Sequence, residues 1–413
     1  MKKSTILQIN GANGGGGANQ LVQQLHDGLT PNFNMSALVE SKTGTQVNID
    51  TFAKNPDTIY KKYAYYVWWA SVLSGLQFKT AKYLLGRNYK NIANHSFYKN
   101  ANLIHLHNLH GNYFNLELLP QISKEKKIIW TLQDMWSLTG HCAHSLDCQK
   151  WQNKQCKNCP DLWRYSPIAI DTSNYFFNLK KKIYQGCNLH LVAPSNWLAV
   201  KVKKSILKDK PITVIYNGAD TKVFKPYNKK KIRQELNLPQ DKFIVLFAAN
   251  FGTKNPWKGG NYFEQLVKEN PFSNTLFLTL GNKQETKSTN LHNLPFVTDR
   301  VKMAKYLSAA DVLFYPAIAD TCPLTVIESL ACGTPVVSFK TGGIPELIKH
   351  SQTGYLTKTN NLDELVKGVE LFQNNPNKLN QASKLASLDV SKRLSLKITI
   401  EKYENLYTSI LNE

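Results

Sequence analysis

Apolar residues fall along this chain in short runs closed by polar or glycine-rich loops, and between the runs they recur at helical spacing. Residues 5–10 form the first run, which ends in the glycine-rich stretch NGANGGGGAN. Leu21, Val22, Leu25 and Leu29 follow at the spacing of an amphipathic helix. Further runs at 102–107, 127–132 and 189–194 each stop at polar or proline-containing residues. A second series lies at 243–249, 275–280, about 295–297, 312–315 and 336–339, and a helical pattern closes the chain from about 389 to 411. Strands that are apolar on both faces and separated by helical patterns predict open parallel sheets with helices on both sides. Around residues 215–238 the chain turns polar and basic and is broken by Pro226 and Pro239, which marks a boundary. A length of 413 residues fits two domains of about 200 residues each.

Residues 63–85 carry Trp68, Trp69 and four tyrosines among apolar residues at mixed spacing. They read as one or two amphipathic helices, packed on a core or lying at a membrane interface. No run of about 18 apolar residues occurs, so a membrane-spanning helix is not expected. The start, MKKSTILQINGANGGGG, has too short an apolar part for a secretory signal and reads as a first strand, so a cytoplasmic location is expected. Lys and Arg number 51 against 29 Asp and Glu, a formal charge of +22. That balance suits phosphorylated substrates or the anionic inner face of a bilayer, or it is simply a solvated basic surface. The basic residues are dispersed, and no zinc-finger, RNA-recognition or helix-turn-helix pattern accompanies them, which argues against nucleic acid as partner.

The segment 311–346, DVLFYPAIADTCPLTVIESLACGTPVVSFKTGGIPE, is the most informative. It reads as strand, polar loop, helix, glycine turn, strand, Gly-Gly loop and helix start, two consecutive βα units. Asp320 then falls in the loop beyond a strand's carboxyl end, where open α/β sheets bind ligands, and Glu328 about one turn into the next helix. The helix start that opens with Pro323 offers the backbone N–H groups of Leu324 and Thr325 and partial positive charge to a phosphate.

This segment resembles the C-terminal signature of the family 4 retaining glycosyltransferases, Glu-x7-Glu followed by a small-residue helix and a G-T-P-V-V strand. Further segments resemble the family in order along nearly the whole chain: the glycine-rich loop, LIHLHNLHGNYFN, WTLQDMWSLTGHC, APSNWLA, VIYNGADTKVF, NPWKGG and TGGIPEL. The resemblance implies the GT-B architecture, α/β with two facing Rossmann-like domains, parallel sheets and a cleft between them. Residues 1–215 would bind the acceptor, residues 216–389 the nucleotide-sugar donor, and residues 390–413 would return to the first domain. Lys258 would pair with the donor diphosphate, the backbone from Cys322 through Pro323 to Leu324 and Thr325 would complete its cradle with the N–H groups of Cys322, Leu324 and Thr325, Glu328 would hold the ribose, and Asp320 would sit beside the sugar. Gly15, Gly16 and Gly17 would let the backbone approach the diphosphate or the acceptor, and His107 would face the transferred sugar, with His105 and His110 close by in sequence.

Three positions depart from the family pattern. Asp320 replaces the first Glu, Thr253 (followed by Lys254) stands where many members have Arg, and Gln133 replaces the His of T-L-H-D while Asp134 keeps its carboxylate. The expected function is metal-independent, retaining transfer of a sugar from a UDP- or GDP-sugar to a polysaccharide or lipid-linked glycan in bacterial surface-polysaccharide synthesis. A non-catalytic nucleotide-sugar binder on the same fold is the alternative.

Cys142, Cys148, Cys156 and Cys159 crowd into an insertion at about 140–162, with His141 and His144 beside them. Their spacing suits a structural zinc ion, with free thiols or a disulfide as alternatives. A similar TGHC…C…C..CP insertion marks the bacterial colanic acid and capsular polysaccharide members that the chain resembles. Lys150, Lys154 and Lys157 would form a basic rim towards acceptor phosphates.

Overall fold

The computed structural model describes residues 3–14, 16–42, 48–51, 92–110, 113–152 and 155–413. The expected helices at 63–85, Gly15 and Lys154 lie outside the described residues. The chain divides into two compact units, one formed by residues up to Ile215 together with Ile400–Glu413, the other by Tyr216–Thr399.

The first unit holds β1 (Thr5–Ala12), β2 (Asn34–Ser41), β3 (Ile49–Thr51), β4 (Leu103–Leu106), β5 (Lys127–Thr131), β6 (His190–Ala193) and β7 (Ile212–Val214). Their order across the sheet is β3-β2-β1-β4-β5-β6-β7, and every pairing is parallel. The second unit holds β8 (Phe243–Ala248), β9 (Thr275–Asn282), β10 (Thr286–Lys287), β11 (Leu291–Pro295), β12 (Val312–Tyr315), β13 (Val336–Phe339) and β14 (Gly354–Thr357). The order is β10-β11-β9-β8-β12-β13-β14, parallel except at the edge strand β10.

The run FIVLFA of β8 shows why such strands must be covered twice. Ile244, Leu246 and Ala248 enter one buried cluster, while Val245 and Phe247 point the other way into a second. Neighbouring β12 repeats the division, with Leu313 and Tyr315 on the first face and Val312 and Phe314 on the second. Period-two alternation therefore buries both faces, and each large side chain so removed from water contributes about 1.5–3 kcal/mol. In the first unit Leu7 and Ile9 face one cluster and Ile6 the other, where Tyr403, Tyr407 and Ile410 of the helix Leu396–Asn412 complete the layer.

Two expectations are corrected. The strand anticipated at about 295–297 lies earlier, at Leu291–Pro295, because its pairing with β9 begins at Leu291 opposite Phe277. The closing helix is two helices, Pro376–Arg393 and Leu396–Asn412. At the break between them Ser395 bridges to Ala219 instead of continuing the helical ladder.

Each sheet has one point where the strand order reverses. From β1 the chain builds outwards to β2 and β3, then returns to the other side at β4; from β8 it builds to β9 and β11, then returns at β12. Loops leaving the carboxyl ends of two such strands diverge to opposite faces and leave a crevice between them, the usual ligand position in open α/β sheets.

Candidate functional site

In the second unit the crevice lies between the loops after β8 and β12, and it gathers residues that are far apart in sequence. Lys258 Nζ forms an ion pair with Asp320 Oδ2, and the Tyr315 hydroxyl donates to the same oxygen at 2.7 Å. Tyr315 is held protonated, because burial and then the charge of Asp320 push its pKa well above the ordinary phenol range. The Asp320 carboxylate thus carries one cationic and one neutral donor in a largely buried position.

The backbone around this pair is built for close approach. Gly259 adopts φ 72°, and a Cβ there would stand 2.0 Å from the Pro316 carbonyl oxygen; the next strut is the Ile318 N–H donating to Trp257 O at 3.0 Å. Gly342, at φ 58°, lies under Asp320, whose carbonyl oxygen would be 1.7 Å from an added Cβ. These two positions admit only glycine. They lock the Trp-Lys-Gly-Gly turn and the Gly-Gly loop after β13 onto the loop that carries Asp320.

Pro323 is the N-cap of the helix Leu324–Ala331, which has no side-chain cap and no acidic residue in its first turn. The N–H groups at Leu324 and Thr325 are therefore not satisfied by a cap from the helix itself, and the positive end of the helix dipole lies at this point. Asn217 donates to the Cys322 carbonyl at 2.8 Å and fixes the approach to this helix. Cys322 itself is buried, and burial raises its thiol pKa. Glu328 lies one turn in and is buried. Lys254 does not join the group: it pairs with Glu264 at 3.3 Å, and Thr253 donates to the same Glu264 oxygen at 2.7 Å. Both residues at the departure from the family pattern are thus turned to a surface carboxylate.

In the first unit the crevice lies between the loops after β1 and β4, and Asn10, not singled out from sequence, spans it. Its amide donates to Ala12 O at 2.6 Å and Asn19 Oδ1 at 2.8 Å, while its Oδ1 accepts from the Asn108 N–H at 3.2 Å. In sequence it is marked only by its place as the last residue of the first apolar run. Gly16 is the N-cap of the helix Gly17–Leu29 and has open space where a Cβ would be; Gly17 belongs to the helix rather than to the loop.

The three histidines separate into different roles. His105 is clamped in the core, 2.5 Å from the Tyr407 hydroxyl and 2.7 Å from Thr131 Oγ1. His107 is buried, lies 3.4 Å from Gln8 Nε2 and has no hydrogen-bond partner for Nδ1 among the described residues. It lines a small pocket with Asn108, Gln133, Asp134 and Trp136. His110 pairs with Asp134 at 2.9 Å, and the other Asp134 oxygen accepts from the Trp136 N–H at 2.7 Å. Burial works to raise the Asp134 pKa, but the His110 charge and hydrogen bond, with His144 and the Trp136 amide, bring it below the ordinary value.

Burial pushes His107 down to about 3 and, with the neighbouring His107, His105 well below its ordinary 6.5. Both rings are neutral when folded and gain a proton on unfolding, so their stabilisation is complete above about pH 6.5 and is lost as pH falls towards 3. The urea midpoint should fall between pH 7 and pH 5, with a shallower fall in His107→Gln; equal slopes for the two proteins would contradict this assignment.

Cys142, Cys148, Cys156 and Cys159 are free thiols and line one small pocket with His141 and Trp151. Burial raises Cys142 to about 11 and Cys156 to about 12. As placed, no three His, Cys, Asp or Glu side chains among the described residues form a ready metal cage. Lys150 does not point to a rim: its Nζ donates to the carbonyls of Lys157 at 3.2 Å and Asn158 at 2.6 Å, closing the insertion on itself. Among the described residues no helix is long and apolar enough to cross a membrane.

Residues 228–388 match the family described as glycosyl transferases group 1. The putative colanic acid biosynthesis glycosyl transferase WcaC of Escherichia coli (strain K12) is 26% identical over 292 residues, covering 65% of this chain and 66% of that protein. Across the first curated relatives the chain spans 52–66% of their own length. Among solved structures, sucrose-phosphate synthase from Thermosynechococcus elongatus superposes with a TM-score of 0.68 at 16% identity, over 99% of this chain and 100% of that one. Anabaena Alr3699/HepE, solved in complex with UDP-glucose, gives 0.67 at 14% identity, over 98% and 99%. These likenesses show the fold, which is of the GT-B type.

Proposed function

We propose that this chain, whose residues 228–388 match the group 1 glycosyl transferases, is a member of that family and moves a sugar from a nucleoside diphosphate donor to a glycan acceptor with retention of anomeric configuration. The observation that carries the proposal is the Lys258–Asp320–Tyr315 group at the reversal point of the second sheet, beside an uncapped helix N-terminus. Leaving-group departure from a sugar diphosphate concentrates negative charge on the β-phosphate, and a fixed cation and aligned N–H groups stabilise that charge most when it is fully developed. Lys258 and the amides at Leu324 and Thr325 would supply this. The diphosphate would compete with Asp320 for Lys258, so donor binding would release the carboxylate towards the sugar hydroxyls. Glu328 would accept from the ribose.

The first unit would bind the acceptor, with Gly16 and Gly17 at a helix N-terminus suited to a phosphate and with His107 and the His110–Asp134 pair beside the pocket. Gln133 cannot shuttle a proton, so His110, oriented by Asp134, is the group in this wall able to do so. A polysaccharide or lipid-linked glycan is the acceptor class in keeping with the named activity of the E. coli relative. The donor would be a UDP- or GDP-sugar, UDP being the nucleotide held by the Anabaena neighbour. A zinc ion among the four cysteines would act on the insertion and not on the transfer. Peripheral contact with an anionic bilayer would follow from a charge of +22 and a lipid-linked acceptor.

The test is release of nucleoside diphosphate from UDP-glucose, UDP-galactose and GDP-mannose by the full chain, with the anomeric configuration of the transferred sugar followed by NMR. Turnover of one donor with retention, abolished in Glu328→Ala, is expected. Binding without turnover across the panel would indicate a nucleotide-sugar binder, and absence of binding would overturn the assignment.

A further inference from the structure

The insertion between the turn Trp136–Leu138 and the helix Ser173–Gln185 contains no helix or strand among its described residues. Loops of this length without secondary structure are uncommon unless something other than a backbone ladder orders them. Its apolar interior is small: Ala143 and Trp151 are buried, whereas Leu146, Trp163, Tyr165 and Ile170 are exposed. An irregular segment with so little core is ordered most readily by a cross-link, and the cross-linking groups present are four thiols facing one pocket.

The surroundings are arranged for thiol ligands. Asn158, at φ 48°, turns the Cys-x-x-Cys segment so that Cys156 and Cys159 face the same pocket, and Lys150 holds the carbonyls of that turn. The Cys159 N–H donates to Asp171 Oδ2 at 2.8 Å. His141 donates from Nδ1 to Ser166 O at 2.9 Å, since a carbonyl can only accept. Its Nε2 therefore carries the ring's lone pair and accepts from the Cys159 thiol at 3.2 Å. Five soft or borderline donors thus converge on one small pocket, a set that selects a thiophilic, four-coordinate divalent cation over calcium or magnesium.

We propose that four of the five side chains Cys142, Cys148, Cys156, Cys159 and His141 ligate one zinc-type cation, and that this clamp holds the insertion against the His110–Asp134 pair. The thiols line the pocket without yet forming a cage, so side-chain rotation accompanies binding, and each ligating thiol gives its proton to solvent. The insertion reaches the pair by short links. The Ala143 N–H donates to Tyr165 O at 2.6 Å, the Met135 N–H donates to Ala143 O at 2.8 Å, and the Tyr165 ring meets His110 edge-on at 5.5 Å. Lys180, buried beneath, donates to Trp136 O at 2.6 Å and Thr139 O at 3.0 Å and ties the start of the insertion to the turn that carries Asp134. The inference stands whether or not the chain transfers a sugar.

The test is metal analysis of the full chain purified under reducing conditions, followed by replacement of the metal with Co²⁺ and absorption spectroscopy. One equivalent of metal per chain is expected, with intense sulfur-to-cobalt charge-transfer bands, and both should be lost in Cys142→Ser/Cys159→Ser. Amide exchange should rise in residues 139–172 on chelation while the second unit stays protected. Wild-type chain that carries no metal and takes up no cobalt would overturn the proposal, as would full metal retention by the double variant. Because the decisive reading is made on wild type, misfolding of a variant does not blunt it.

Discussion

Lys258→Met should lower donor turnover by about two to three orders of magnitude, the cost of removing one preorganised donor from a developing oxyanion. It should also weaken donor binding, because the lysine would meet the diphosphate in the ground state as well. Asp320→Asn removes charge at constant shape and leaves Tyr315 an acceptor, yet its effect on affinity should have the opposite sign. Without the carboxylate, Lys258 is no longer shared and the anionic donor meets less repulsion, so turnover falls while donor affinity holds or improves. Calorimetric titration of UDP beside steady-state kinetics separates the two. Equal loss of affinity in both variants would show that the pair is a structural ion pair and not a divided site.

The second large effect is on stability. Asp311 accepts from Arg233 at 2.7 Å, from the Ile244 N–H at 2.7 Å and from Lys229 at 2.7 Å, at the start of β12 and buried. Arg233 is buried too, and also donates to Ala309 O at 3.0 Å and Lys242 O at 2.9 Å. Asp311→Ala would leave the guanidinium without its countercharge and an amide without its acceptor, a loss of about 3–5 kcal/mol. Denaturant unfolding should show this, and Asp311→Ala with Arg233→Ala should cost less than the sum of the single changes. Strict additivity would mean that the two residues act independently.

The α/β class was legible because the strands beside each reversal point are continuous apolar runs, and the loops that carry the chemistry begin where those runs stop. Weaker strands escaped notice for definite reasons. In β2, NMSALVES, polar Asn34, Ser36, Glu40 and Ser41 interrupt the run, β3, β7 and β10 are too short to show a period, and β14, GYLT, opens on glycine and ends on threonine with only two apolar residues between. Lys258 and Asp320 could each be named from their motifs, but a contact across 62 residues of sequence is a product of strand order and not of spacing. Tyr315 reads in sequence as the last apolar residue of a strand, and only the fold shows its hydroxyl on Asp320. The histidine cluster at the end of β4 was visible as a cluster, whereas its division into a core group, a pocket group and the Asp134 partner depends on Tyr407, Gln8 and the loop after β5. Asn217 and Asn10 lay inside recognised segments without distinction, since an asparagine that bridges two loops looks in sequence like any other loop residue.

The most direct measurement is amide hydrogen exchange on the full chain with and without saturating UDP. New protection is expected in the turn around Lys258 and from Asp320 through the start of the helix Leu324–Ala331, with Lys258→Met losing it. Saturable UDP binding that protects neither segment would contradict the placement of the donor site.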